Sequence, residues 1–456
     1  MLELAEWKGA KTVSEKKRRH RSVRRFIWWR RRWRRATGNE ARTLNERLQS
    51  AFGTIVQVFW DALVAVVVGV TVGAVTALFG HGLLLVNEWR EAHLFWFVPF
   101  LGLAGLVIMS VNMHWGGAAQ RGMGLVFDVG LGRESTIPLR MVPLTIFATW
   151  MTHLFGGSAG REGVAVQIGS TISMQFARFA PRRVPSHVIL ASGMAAGFAG
   201  LFGTPIAATF FALEVLVVGS VYYEALAPAL IAAYCASFTA RSLGLMAMAM
   251  PIGPVPDMDA RLMVLTLLAG VLFGAVGWFF SWLLNHLRIF FALLIDDPRL
   301  RIFIIGSLLA VVFLLLDGRY SGLSDALFMN AFTGGDVYAL DWLFKLVLTA
   351  MTLAAGFQGG ELTPLFVIGA TLGSFLALTL GLPVALFAAM GCVAVFGAAT
   401  KTMFAPLFIG VEVFGAQGMP FFAVVAITAF VVSGHRGIYN KQRFLREAAH
   451  VTEETK

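Results

Sequence analysis

The sequence predicts an all-α, polytopic integral membrane protein folded as two repeats of interrupted helices, and three observations carry that prediction. Hydrophobic residues make up 57% of the 456 and charged residues only 14%, against roughly 45–50% and about 25% in soluble domains. An ordinary soluble enzyme is excluded. The 48 glycines fit helices that pack closely in lipid. Apolar stretches then follow one another from Ala51 to Val432, several too short for the ~20 residues a helix needs to cross hydrocarbon, and several cut by Gly or Pro. Broken helices at membrane depth belong where protein or a wet cavity satisfies the freed backbone, as in transporters and channels. Finally, landmarks recur: Gly160 is followed by Ile168-Gly169 and then Pro205, and Gly360 by Ile368-Gly369 and then Pro406. Each proline precedes an acid in an apolar run, Glu214 and Glu412. Internal symmetry with interrupted helices at matching places points to a binding site at the repeat interface.

The elements follow in order. Residues 1–49 form a basic tail, in which 12 Lys and Arg lie between Lys16 and Arg35 with no acid among them. Take those 12 from the 37 in the chain and 25 remain against 26 Asp and Glu, so the net charge of +11 is a property of the tail. Interleaved with Phe26, Trp28, Trp29 and Trp33, it suits the anionic lipid of the cytoplasmic leaflet; a solvated tail without a partner is the alternative. Nucleic acid is not expected, because no folded domain precedes the first apolar run to present the charge. Met1–Ala10 lacks the order of a cleavable signal peptide, so the tail is expected to be retained.

The clearest apolar stretches are 51–80, 94–111, 137–155, 187–218, 224–248, 260–284, 301–316, 340–355, 363–380, 383–399 and 404–432. The turn-forming run Pro251–Pro256 divides them, giving a first repeat over 50–250, a linker over 251–259 and a second repeat over 260–440. A short C-terminal tail, 441–456, follows. Arg436, Lys441, Arg443 and Arg446 place that end in the cytoplasm with the N-terminus. The number of crossings is then even, and the plasma (inner) membrane is the expected location. Cys235 and Cys392 stand outside any CxxC pair, and neither a metal nor a cofactor is expected.

Two glycine-rich segments carry the chemistry: Gly156-Gly157-Ser158-Ala159-Gly160-Arg161-Glu162-Gly163 and Gly356-Phe357-Gln358-Gly359-Gly360-Glu361-Leu362-Thr363-Pro364. Each stands immediately before an apolar helix, and Pro364 suits a first helical turn. Helix starts expose unpaired N–H groups and the positive end of the dipole, which together attract an anion without a cationic side chain. An ionised Glu162 at membrane depth costs roughly 2.5–3.5 kcal/mol on insertion scales, which marks it as functional or else as paired with Arg161 or another arginine. At the mouth of an anion site Glu162 can occupy that site as an anion or leave it when protonated, coupling proton and anion.

Gly160-Arg161-Glu162-Gly163 with Val166-Gln167-Ile168-Gly169 resembles the GREGPxVQIG motif of the CLC family of chloride channels and proton-coupled anion transporters, in which the Glu is the gate and proton carrier. Gly359-Gly360-Glu361-Leu362-Thr363-Pro364 is similar to the family's GGxFxP, Gly122-Met123-Gly124-Leu125 falls at its GSGIP, and Tyr439 matches its pore tyrosine. The resemblance spans about 50–440. It implies a membrane homodimer of two inverted repeats per subunit, with broken, tilted helices and one pathway in each subunit. Glu162 then gates and transfers protons, while Met123, Gly160, Arg161, Gly163, Val164, Glu361, Leu362, Thr363 and Tyr439 line the anion pathway.

The departures narrow the resemblance. Met123 replaces the Ser whose hydroxyl meets chloride, Val164 replaces the Pro after GREG, and Glu361 and Thr363 stand inside GGxFxP. This combination is similar to the fluoride-specific branch, whose members are fluoride/proton antiporters that give fluoride resistance. Val215 stands where chloride/proton members carry a second, inner proton glutamate. Losing a hydroxyl at Met123 argues, taken alone, against a strongly hydrated ion; Thr363, Tyr439 and backbone N–H groups are the available donors. Glu361 is either a protonated hydrogen-bond donor or a structural acid facing out of the path. The expected partners are therefore fluoride or chloride, protons, membrane lipids and a second subunit. The alternatives are a chloride or nitrate antiporter and a passive anion channel. An intramembrane enzyme is not expected, because no histidine stands in a motif that would make it the base for Ser158.

Overall fold

The computed structural model describes residues 59–177 and 185–445; the basic tail, and the lipid partner read from it, lie outside them, as do 446–456. The described residues from Asp61 onward make one compact unit.

Eight principal helices precede a stretch, 243–259, that holds none: α1 (Phe59–Ala92), α2 (Leu101–Val111), α3 (Met123–Gly130), α4 (Met141–Leu154), α5 (Glu162–Phe176), α6 (Ser186–Phe202), α7 (Pro205–Glu214) and α8 (Leu226–Ser242). Eight more follow: α9 (Ala260–Leu294), α10 (Pro298–Leu315), α11 (Asp325–Thr333), α12 (Asp341–Ala355), α13 (Leu362–Leu380), α14 (Val384–Thr400), α15 (Phe404–Ile409) and α16 (Met419–Val432). Each helix of the first set has its counterpart eight places later, the long α1 matching the long α9 and the short α3 the short α11. Five segments among the described residues are long and apolar enough to span a bilayer, including α1, α9, α10 and α13. Exposed apolar side chains such as Leu268, Trp278, Leu308 and Val311 cover the outward faces of α9 and α10, as a lipid solvent requires.

Two apolar stretches that read as single runs are each two helices. In 187–218 the chain breaks at Gly203, whose left-handed φ of +79° ends α6, and Pro205 opens α7. In 404–432 the break is at Gly415, with φ +107°. The recurring Ile-Gly landmarks are packing points. A Cβ on Gly169 of α5 would lie 2.0 Å from the Gly193 carbonyl oxygen of α6, and one on Gly369 of α13 2.1 Å from that of Gly391 in α14. Only glycine allows these backbones to touch.

Glu214 and Glu412 complete the symmetry. The Glu214 carboxylate accepts the N–H groups of Met403 (2.6 Å) and Phe404 (3.0 Å) at the start of α15. Glu412 accepts those of Ile206 (3.1 Å) and Ala207 (2.8 Å) at the start of α7. Each repeat thus caps a helix of the other, satisfying orphan N–H groups with charge of the sign the dipole favours. Replacing Glu412 by Ala is expected to lower stability by about 1–2 kcal/mol, as loss of a good cap does; thermal unfolding in detergent checks it.

Candidate functional site

The two glycine-rich segments meet. The Gly160 N–H donates to the Gly360 carbonyl and the Gly360 N–H to the Gly160 carbonyl, both at 2.6 Å, in an antiparallel bridge. A Cβ on Gly160 would lie 2.7 Å from Thr363 Oγ1, and one on Gly360 2.9 Å from the Gly163 nitrogen. Side chains at these positions would push the two helix starts apart.

Glu162 opens α5 and is fully buried. Its side chain crosses to the other repeat, where Oε2 accepts the Thr363 N–H at 3.1 Å and the Thr363 hydroxyl in a short hydrogen bond. It also accepts the Arg161 N–H at 3.4 Å. Oε1 lies 3.6 Å from Arg161 Nε and has no hydrogen-bond partner. The ion pair expected as the alternative to a functional Glu162 is therefore present, but the pair is too long for a hydrogen bond, and the short contacts are those to Thr363. Burying the carboxylate is offset by these bonds and by the positive end of α13, which spans 19 residues. The Glu162 carboxylate thus sits at the N-terminal end of a helix of the other repeat.

Beside this contact is a cavity of about 340 Å³, with Met123, Phe127, Gln167, Arg288, Glu361 and Tyr439 among its walls. The Tyr439 hydroxyl and Gln167 Oε1 are buried in it without partners, and the Tyr439 ring rests against Phe127 with centroids 5.1 Å apart. Glu361 carries an ion pair, Oε1 lying 3.5 Å from Arg288 Nη2. At the rim, buried Asp128 gathers Arg121, Lys441 and, at 3.5 Å, Arg133. Arg121 also pairs with Glu134 at 2.9 Å, so three cations and two carboxylates stand together there.

The residues expected on an anion path fall into three groups. Met123, Glu361 and Tyr439 line the cavity. Gly160, Arg161, Gly163 and Thr363 surround the Glu162 carboxylate or hold its two helix starts together. Val164 and Leu362 are fully buried and are not among the cavity walls; Val164 packs in an apolar cluster with Val68, Val72 and Ile168. Ser158 hydrogen-bonds to Thr349 at 2.7 Å, while the His153 ring faces the carbonyls of Thr149 (2.9 Å) and Ala159 (3.0 Å). Neither has the other as a partner. Sequence reading missed Arg288, Gln167 and Asp128. Arg288 stands beside Asn285 and His286 in the membrane-length α9, and an intramembrane cation of that kind is a signal; Asp128, a buried acid in the apolar run of α3, gives the same signal but does not reveal Lys441, which lies 313 residues away.

The geometry supports a specific chemistry. An ionised Glu162 would compete with an anion for the start of α13, and a neutral one would give up the charge–dipole attraction. Such an arrangement would link the protonation of one side chain to the occupancy of one anion site.

The chain is similar to several known proteins. The family model described as "Voltage gated chloride channel" matches residues 104–434. A "Chloride/fluoride channel protein" from Pseudomonas syringae pv. tomato is 38% identical over 392 residues, 84% of this chain and 86% of that protein. An "H(+)/Cl(-) exchange transporter ClcA" from Yersinia pseudotuberculosis is 26% identical, over 74% of this chain and 77% of that one. Among solved structures, a CLC-type fluoride/proton antiporter superposes with a TM-score of 0.83 at 45% identity, covering 84% of this chain and 98% of that chain. A slow cyanobacterial Cl−/H+ antiporter, at 19% identity, shares the fold with a TM-score of 0.71 over 87% of this chain and 99% of its own.

Proposed function

Since this chain belongs to the voltage-gated chloride channel (CLC) family, we propose that it is a fluoride/proton antiporter that expels fluoride across the cell membrane as protons enter. The observation that carries this reading is the Glu162 carboxylate held on the backbone N–H and hydroxyl of Thr363. A 45% identity to a CLC-type fluoride/proton antiporter supports the choice of ion. In the cycle, a proton neutralises Glu162, the side chain leaves Thr363, and fluoride takes the vacated donors. Fluoride holds its water tightly, so the site must return short, strong hydrogen bonds. The Thr363 N–H and hydroxyl and the free Tyr439 hydroxyl are donors of that kind. Gly160, Gly163 and Gly360 bring the two repeats close enough to share one seat, and Arg161 lies beside the carboxylate when it is charged.

Val215 leaves the position beside Glu214 without a carboxylate, and Glu214 is committed to capping α15. No fixed inner acid relays protons in this reading, so Glu162 itself carries them. Both termini are cytoplasmic, the repeats occupy 50–250 and 260–440 about the linker 251–259, and two subunits associate with a pathway in each. Glu361, paired with Arg288, acts as a structural acid at the cavity wall.

Fluoride and chloride fluxes in reconstituted liposomes test the choice of ion. Fluoride is expected to move at least about tenfold faster, roughly 1.4 kcal/mol in barrier height, and Met123→Ser to narrow the ratio by giving the larger ion a hydroxyl. Equal initial rates for the wild type at matched gradients would return the chloride reading.

A further inference from the structure

The chain that carries Tyr439 has no helix of its own. After α16 ends at Val432, residues 433–442 run without regular structure across both repeats, and the hydroxyl reaches its cavity on this strap. What fixes the strap near Tyr439 is therefore a determinant of where that hydroxyl points.

Gln442 is placed to do this. Its side chain is buried, and the amide Nε2 donates to the Val215 carbonyl at 2.8 Å and to the Thr400 carbonyl at 3.0 Å. Val215 is the C-terminal cap of α7, and Thr400 is the last residue of α14. Carbonyls at helix ends have no intrahelical partner. One amide, with two N–H groups, thus closes one helix end in each repeat. The Gln442 backbone N–H donates to the Tyr439 carbonyl at 3.1 Å, so the anchored residue and the tyrosine are the two ends of one turn. Upstream, the strap is held by the Ile438 N–H on the Ala399 carbonyl at 2.9 Å; downstream, Arg443 and Phe444 pair in parallel with Val217 and Val218. Between these fastenings Gln442 is the only side-chain link from residues 439–442 to the ends of α7 and α14 among the described hydrogen bonds.

The geometry points to Gln442 as the positioning residue for Tyr439: its amide, by tying the ends of α7 and α14 to the turn, holds the tyrosine hydroxyl toward the anion cavity. This rests on the reading of Tyr439 as a fluoride donor. Gln442 does not touch the anion and acts only through the tyrosine. The amide is used solely as a donor to two carbonyls, so the requirement is for N–H groups rather than for volume.

The test is a double-mutant cycle on fluoride exchange in liposomes, with KM and kcat measured for the wild type, Gln442→Leu, Tyr439→Phe and the pair. Gln442→Leu is expected to raise the fluoride KM about fivefold, the scale of one neutral hydrogen bond, with a smaller change in kcat. In the Tyr439→Phe background the same change should add less than about twofold, since residues acting through one group are not additive. Gln442→Met, close in volume to glutamine but without N–H groups for the two carbonyls, should behave as Gln442→Leu. If Gln442→Leu does not yield folded protein, Gln442→Met carries the same comparison. Independent effects of Gln442→Leu and Tyr439→Phe, or a Gln442→Met variant like the wild type, would overturn the assignment while leaving Tyr439 a donor. If Tyr439→Phe leaves the fluoride KM unchanged, the reading of Tyr439 itself fails, and the role given to Gln442 falls with it.

Discussion

Replacing Glu162 by Gln is expected to abolish fluoride-driven proton movement, reducing it to the level of protein-free liposomes, a loss of at least about 100-fold, at the low end of what a positioned proton carrier contributes. The side chain keeps its size and can still accept the Thr363 N–H and hydroxyl with its amide oxygen. It cannot gain or lose a proton at working pH. The charge whose competition with fluoride links the two ions is then absent in every state. Because shape and hydrogen bonding are nearly conserved, folding should be preserved, and a monodisperse elution profile with fluoride-dependent proton uptake recorded on the same sample checks both. A variant that still moves protons uphill on a fluoride gradient would remove Glu162 from the coupling mechanism.

Thr363→Val has the second largest expected effect. The substitution is close in volume but removes the hydroxyl, one of the two Thr363 donors to the Glu162 carboxylate. The backbone N–H remains. A hydrogen bond to a charged group contributes about 1.5–3 kcal/mol, so fluoride turnover should fall by about 10- to 100-fold. Chloride, which is larger and accepts weaker donors, should slow less. The change in the ratio of the two rates separates loss of a fluoride donor from general damage to the helix start.

The architecture was legible because its signals are local. Apolar runs cut by Gly203 and Pro205, or by Gly415, announce broken helices, and the spacing of Gly160 and Gly360 ahead of Ile168-Gly169 and Ile368-Gly369 announces the repeat. The exact break points were less clear, since an apolar run continues across the break in composition. Glu162 and Thr363 stood out as candidates for the same reason: an acid and a hydroxyl in two glycine-rich segments at helix starts. Their direct contact was not, because it spans 201 residues and depends on the Gly160–Gly360 bridge. Asp128, Arg288 and Gln442 act through tertiary partners. Sequence spacing carries no information about their long-range pairings with Lys441, with Glu361 and with the ends of α7 and α14, although Arg288 itself stands out as a cation in a membrane-length helix. Val164 and Leu362 stood in the right motifs, but helical geometry turns them into the apolar packing.

The most direct measurement of the central claim, that Glu162 links fluoride exit to proton entry, uses wild-type protein in liposomes loaded with fluoride, with the membrane potential clamped by potassium and valinomycin. The account predicts that the outward fluoride gradient acidifies the interior against a small opposing pH gradient, that reversing the fluoride gradient reverses the proton flux, and that an equal chloride gradient does so far more slowly. Dissipation of the fluoride gradient with no accompanying proton flux would contradict it.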